Sequence, residues 1–175
     1  HASDTQWVLV PFTNNGTVRS DEGTLRFNSV PITTSHADAR WHTAAGAAMG
    51  FENCMITGAL VGDGLGTSWF TVLTLGGDLG LNVQGNGLTW LSSNVNLGGH
   101  TLTNAQKGRV DVLSGSKIAY DGSIVNNGAW NFADTAGWVF YFQGLTFTND
   151  GVLTQTNVNV NTNGGTNAMT NNGLF

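Results

Sequence analysis

One five-residue pattern recurs along the chain and limits the fold more than any other feature. An apolar residue, a β-branched residue, Asn, a polar residue and Gly follow one another in segments 12–16, 124–128, 147–151 and 169–173. The Asn residues of the last three segments lie 23 and 22 residues apart, and the 112 residues from Asn14 to Asn126 make five steps of about 22.4. A fixed period of this length indicates a repeat architecture. About eight rungs of 22–23 residues fit, with only the step near residue 36 lacking a recognisable copy.

A second set of positions keeps the same period. Alternating apolar pairs are followed within two residues by Gly, and these pairs are Leu73/Leu75, Val95/Leu97, Ile118/Tyr120 and Phe140/Phe142. Alternation with period two places each pair on one face of a strand, and Gly permits the corner that follows. Hairpins would reverse the chain within each rung and would not keep these positions in columns. The sequence therefore predicts an all-β fold, a parallel β-helix or β-solenoid.

Two columns of side chains are expected along this coil. The predicted inward column consists of Phe12, Leu102, Ile124, Phe147 and Met169. Asn tolerates left-handed backbone, and its amide can hydrogen-bond to the rungs above and below. The predicted turn ladder consists of Asn14, Asn104, Asn126, Asn149 and Asn171. On strand 138–142, Phe140 and Phe142 are expected to point inward, which turns Val139 and Tyr141 outward as a candidate contact surface.

The length of 175 residues suits one domain, so we expect a single β-solenoid over 1–175 with 1–55 as an irregular N-terminal capping part. The Ala-rich segment 35–49 predicts a short helix, with Ser35 as N-cap and Gly50 as the stop. The alternative is a degenerate rung whose small Ala residues point inward. The single Cys54 excludes an internal disulfide and is expected to be a small buried hydrophobe.

Charge and hydropathy restrict the partners. The net charge is −5 and the six basic residues form no run, so nucleic acid is not expected as a partner. No stretch approaches the roughly 20 apolar residues of a membrane span. The chain starts at His1 without an initiator Met or signal sequence, so we expect a mature or excised piece.

Residues with catalytic or metal-binding chemistry are sparse. His36, Asp38 and His42 are close in sequence, but an exposed polar loop accounts for them better than a metal or acid–base site. The eleven carboxylates are dispersed, and the register brings only Asp111 towards Asp134. We therefore expect no catalytic residue, no metal site and no cofactor.

Two further surfaces are candidate binding sites. A Thr-x-Thr ladder such as ice-binding solenoids need is interrupted at 123–125 and 168–170. Trp130 is expected in the core, whereas Trp69 and Trp90 would form a saccharide-binding ledge if both were exposed.

The Gly/Asn/Thr-rich rungs, for example segment 96–103, resemble the β-helix repeats of secreted bacterial surface proteins. These are notably autotransporter passengers and filamentous-haemagglutinin-like adhesins. The resemblance implies secretion and a surface or matrix role without fixing a ligand, and its turn and core motifs carry over no catalytic residue. We expect a non-enzymatic extracellular structural or adhesive solenoid, part of a surface adhesin, sheath or fibre. The alternative is a polysaccharide-active or saccharide-binding β-helix module, such as a lyase or hydrolase.

The C-terminal segment indicates which partners to expect. Segment 169–175 begins a fresh rung at its Asn turn without the charge, Pro or helix that usually covers a terminal rung. We therefore expect either self-association or continuation of a longer chain, with polysaccharide as the other candidate partner.

Overall fold

The computed structural model of the chain describes residues 4–34, 36–113, 115–133 and 139–175. Every regular element in these ranges is a β-strand. In chain order the strands are β1 (Thr5–Val8), β2 (Phe12–Asn14), β3 (Thr17–Ser20), β4 (Thr24–Asn28), β5 (Pro31–Thr34), β6 (Arg40–Thr43), β7 (Ala48–Glu52), β8 (Cys54–Asp63), β9 (Thr67–Phe70), β10 (Leu73–Val83), β11 (Leu88–Trp90), β12 (Val95–Asn96), β13 (Thr101–Asn104), β14 (Arg109–Leu113), β15 (Lys117–Asn126), β16 (Ala129–Ala133), β17 (Val139–Asn149), β18 (Val152–Thr156), β19 (Asn159–Thr162) and β20 (Ala168–Asn171).

The strands form two parallel sheets that run along the coil. The eight-stranded sheet has the order β1-β4-β7-β9-β11-β14-β16-β18. The twelve-stranded sheet has the path β19-β17-β15-β12-β10-β8-β5-β2, with β3, β6, β13 and β20 paired beside it. Neighbours in each sheet lie one turn apart along the chain. The predicted parallel β-solenoid is confirmed, with about seven turns between the first and last strands of the eight-stranded sheet.

The length of a turn varies more than the sequence pattern indicates. Thr5 pairs with Thr24 and Thr24 pairs with Ala48, which are steps of 19 and 24 residues. Asn104 pairs with Asn126, a step of 22 residues. The step near residue 36 that lacks the motif is occupied by β5. The N-terminal turns therefore belong to the same sheets, although their sequence does not repeat the motif.

The predicted helix near 35–49 is wrong. Residues 40–43 form β6 and residues 48–52 form β7, each paired with strands of neighbouring turns. Ala39 and Ala47 are 0% and 3% exposed, which agrees with the alternative of a rung with small inward Ala residues. Pairing on both edges satisfies the strand backbone and outweighs the helix propensity of Ala. Ser35, the expected N-cap, lies outside the described residues.

The predicted inward column is correct for Leu102, Ile124 and Phe147, which are at most 1% exposed, whereas Met169 continues its register but is 42% exposed. Leu102 pairs with Ile124, Ile124 with Phe147 and Phe147 with Met169. Phe12 belongs to a different column, which continues through Ile32, Ile56 and Leu75. Leu102 pairs instead with Leu79, further along β10. The same five-residue motif therefore occupies two different places in the turn.

Strand β15 does not bury its alternating apolar pair, Ile118 and Tyr120, as the equivalent position of Phe140 and Phe142 predicts. The structure buries Lys117 and Ala119, both 0% exposed, and leaves Ile118 and Tyr120 half-buried on the outer side. A shift of one residue exchanges the two faces of a strand. The Lys117 Nζ donates to the carbonyl oxygens of Leu113 at 2.6 Å and Gly115 at 3.2 Å, which is how a cation is accommodated at this inward position.

Cys54 is 2% exposed, as expected of a small buried hydrophobe. Burial raises the pKa of its thiol. Because the thiolate is the reactive form, we expect a thiol reagent such as DTNB to label Cys54 only when the chain unfolds. Rapid labelling of the folded chain would contradict this prediction.

The raised pKa of Cys54 also predicts a pH dependence of stability. The thiol of the unfolded chain ionises first as the pH rises, so the free energy of unfolding should fall once the pH passes the ordinary thiol pKa. A Cys54→Ala variant should lose that dependence.

Candidate functional site

Four Asn side chains at the turn form a hydrogen-bonded ladder. The Nδ2 of Asn104 donates to Asn126 Oδ1 at 2.7 Å, that of Asn126 to Asn149 Oδ1 at 2.6 Å, and that of Asn149 to Asn171 Oδ1 at 2.6 Å. Each donor also reaches a main-chain carbonyl of the next turn, and these carbonyls belong to Ala129, Val152 and Leu174. The first three Asn residues are 0% exposed. The ladder therefore joins successive turns from within and offers little to a ligand.

Asn14 lies outside this ladder, which corrects its predicted place. It pairs with Thr34 rather than with another Asn. Its Nδ2 still donates to the Arg40 carbonyl in the next turn at 3.1 Å, and its Oδ1 accepts from Gly16 N at 3.0 Å. Asn14 makes the same kind of bond to the next turn, but Thr34 supplies no amide to extend a ladder.

Val139 and Tyr141 lie on the outer side of β17 and are half-buried. Phe140 and Phe142, the alternate residues, are 0% and 3% exposed, so the expected inward pair is confirmed. Tyr141 lies in register with Ile118 on one side and with Asn161 on the other. A partner contact through Val139 and Tyr141 stays a prediction.

The His36, Asp38 and His42 cluster does not converge on one point. His36 Nδ1 lies 3.9 Å from an Asp38 carboxylate oxygen, whereas His42 Nδ1 contacts Asp63 Oδ1 at 2.5 Å in the neighbouring turn. Over the ranges that the structure describes, no group of three His, Cys, Asp or Glu residues could hold a metal ion.

The tryptophans in the described ranges divide between the core and one outer face. Trp130 and Trp90 are each 1% exposed, and Trp69 is 7% exposed, so Trp69 and Trp90 form no open ledge. Trp69 lies on the outer side of the eight-stranded sheet, where the Arg26 guanidinium covers its ring at 5.5 Å. The same guanidinium lies 5.2 Å from the ring of Trp7. Arg26 thus occupies the space between the two rings.

Gly50 makes room for this stack. A Cβ at Gly50 would lie 2.5 Å from the Trp69 ring. We expect Gly50→Ala to displace Trp69 from Arg26 and to lower the free energy of unfolding by about 1–3 kcal/mol. Tryptophan fluorescence and urea denaturation would measure both effects. Gly16→Ala is the matched control, since a Cβ there meets nothing within 4 Å, and an equal loss in that variant would contradict the steric explanation.

A polar network lies further along the same outer face. Arg109 Nε donates to Asp111 Oδ2 at 2.8 Å, and Asn131 Nδ2 donates to Asp111 Oδ1 at 2.6 Å. Thr154 Oγ1 donates to Asn131 Oδ1 at 2.6 Å. β14, β16 and β18 hold these residues in adjacent turns, with Asp111 in register with Asn131 and Asn131 with Thr154. Sequence reasoning missed this network because its members share no residue type, and Asp134, the expected neighbour of Asp111, lies outside the described residues.

Two grooves adjoin the network. One, of about 410 Å³, is lined by Arg109, Asp111, Asn131 and Thr154 among others. The other, of about 510 Å³, includes Lys107 and Arg109 and passes over four corner glycines, Gly108, Gly128, Gly151 and Gly173. Arg109 lines both grooves, so the two grooves adjoin at its side chain, and together they are the candidate functional site.

Fold and surface together define the chain as a parallel β-solenoid with a polar groove on one outer face. No family model, curated protein or solved structure matches it. Within the described ranges there is no helix of the length and apolarity that a membrane span requires.

Proposed function

We propose that this chain is a non-enzymatic structural or adhesive rod of an extracellular surface assembly, such as an adhesin, a sheath or a fibre. The observation that carries the proposal is that the last turn of the coil has exposed apolar side chains and no charged one. Met169 and Leu174 are 42% and 66% exposed there, and residues 151–175 include no charged side chain. Natural β-proteins usually protect a strand edge with charge, Pro or a covering element.

The opposite end of the coil offers a similar surface. Trp7, Leu9 and Val10 are 48%, 65% and 63% exposed around the first turn. A last turn that pairs with a first turn would repeat the parallel pairing found inside the coil, and such a head-to-tail contact propagates into a fibre. The same edges would equally receive further turns of a longer chain. An extracellular location is supported by the resemblance of the Gly/Asn/Thr-rich rungs to secreted surface repeats.

Sedimentation velocity over a wide concentration series, with electron microscopy of the same samples, tests the proposal. We expect the sedimentation coefficient to rise with concentration and elongated rods to appear. Met169→Lys should suppress this association, because it places a cation on the apolar end. Met55→Lys is the matched control, since Met55 is 46% exposed on the side of the coil. A chain that stays monomeric, or equal loss of association in both variants, would overturn the proposal.

A further inference from the structure

We propose that the groove over β14, β16 and β18 binds a neutral polysaccharide strand that lies along the axis of the coil. The proposal deepens the adhesive part of the proposed function by naming a ligand class and its site. The first support is the network of Arg109, Asp111, Asn131 and Thr154, whose members hold one another at 2.6–2.8 Å across three turns. Planar polar groups fixed in this way can bind hydroxyl groups without losing much side-chain entropy.

The network keeps hydrogen-bonding capacity for a ligand. Arg109 bonds Asp111 through Nε, and its side chain is 51% exposed, which leaves the terminal amino groups at the groove. Asn131 uses one amide hydrogen for Asp111, and the Thr154 oxygen retains its acceptor capacity. Donors and acceptors therefore alternate along the groove, which suits the mixed donor and acceptor character of sugar hydroxyls.

The shape of the groove favours a chain rather than a single sugar. Its floor passes over Gly108, Gly128, Gly151 and Gly173, and a Cβ at each of the last three would lie 2.1–2.3 Å from a main-chain oxygen. Close stacking of the turns requires Gly at these corners, so the corners carry no side chain over four successive turns. At about 4.8 Å per turn, four turns extend over roughly 14 Å parallel to the axis. A polymer could lie along these corners and reach the polar network at Arg109, which lines both grooves.

The charges in the groove favour a neutral ligand. Arg109 is neutralised by Asp111, with Nε to Oδ2 at 2.8 Å. Lys107 and Asp150 line the adjoining groove, which Arg109 also lines, and offset each other in net charge. An acidic polysaccharide would gain little net attraction from this balance, whereas uncharged hydroxyls can use every group in it.

Affinity electrophoresis through gels that contain dextran, xylan, mannan or polygalacturonate tests the inference. We expect at least one neutral polysaccharide to retard the chain, with little dependence on salt. The double variant Arg109→Gln/Thr154→Val should weaken that binding about tenfold, because it removes two polar contacts. Thr154→Val alone should give a smaller loss of binding. This single variant keeps the Arg109–Asp111 pair, so it tests the groove even if the double variant does not fold.

Thr33→Val is the control, because Thr33 is exposed on β5 in the other sheet. Three results would overturn the inference: no retardation by any of the neutral gels, unchanged binding in both groove variants, or retardation by polygalacturonate alone that salt abolishes. Met169→Lys should retain the retardation. Failure of glycan binding therefore remains distinguishable from failure of rod association.

Discussion

Replacing Phe147 by Ala should lower the free energy of unfolding by about 3–5 kcal/mol. Phe147 is 0% exposed and packs edge-on against Trp130 at 5.7 Å and in a stack with Phe142 at 5.9 Å. Truncation would leave a cavity between rings that belong to both sheets, and the parallel ladders on either side of β17 restrict how far the backbone can close it. Urea denaturation followed by circular dichroism would measure the loss.

Thr146→Ala is the control for this substitution, because Thr146 is exposed on the same strand. Its effect should stay within about 0.5 kcal/mol. Equal tolerance of the two substitutions would mean that the inward column is assigned to the wrong residues.

Replacing Asn126 by Ala should lower the free energy of unfolding by a similar amount, about 3–5 kcal/mol. The side chain is 0% exposed, accepts from Asn104, and donates to Asn149 and to the Val152 carbonyl. Ala would leave these buried partners without their bonds, and each unsatisfied group contributes about 1–3 kcal/mol. Chemical denaturation and amide hydrogen exchange at the neighbouring turns would register the change.

Asn171→Ala tests whether burial makes the ladder important. Asn171 stands at the exposed end of the same ladder and accepts from Asn149. Water can replace its bonds, so the expected loss is about 1 kcal/mol or less. Comparable losses at Asn126 and Asn171 would refute the view that the ladder stabilises the coil through its buried members.

The parallel coil was predictable because side chains recur where successive turns stack. Asn104, Asn126, Asn149 and Asn171 are spaced by one turn each, and this spacing is visible without any structure. The N-terminal turns were harder to place, since steps of 19 and 24 residues leave no constant period. The Ala content of segment 35–49 favours a helix locally, but the pairing of β6 with β3 and of β7 with β4 makes the segment two strands.

The polar groove could not be predicted from the sequence. Asp111, Asn131 and Thr154 differ in type, and the steps between them are 20 and 23 residues. Their common face follows from the register of three separate strands. The repeat motif is visible because its positions keep the same residue type in every turn. The groove residues differ in type from turn to turn, so no sequence pattern marks them.

The sequence by itself determined the class of fold, because Asn turns and alternating apolar pairs with one period are compatible with parallel stacking and not with hairpins. Tertiary structure alone decided the inward residues of β15 and the place of Phe12. Ile118 and Tyr120 are as apolar as a core pair should be, yet the register with Phe140 and Phe142 buries Lys117 and Ala119 instead. The reason is that a strand has two faces separated by one residue, and only its pairing with the turns above and below selects which face is buried.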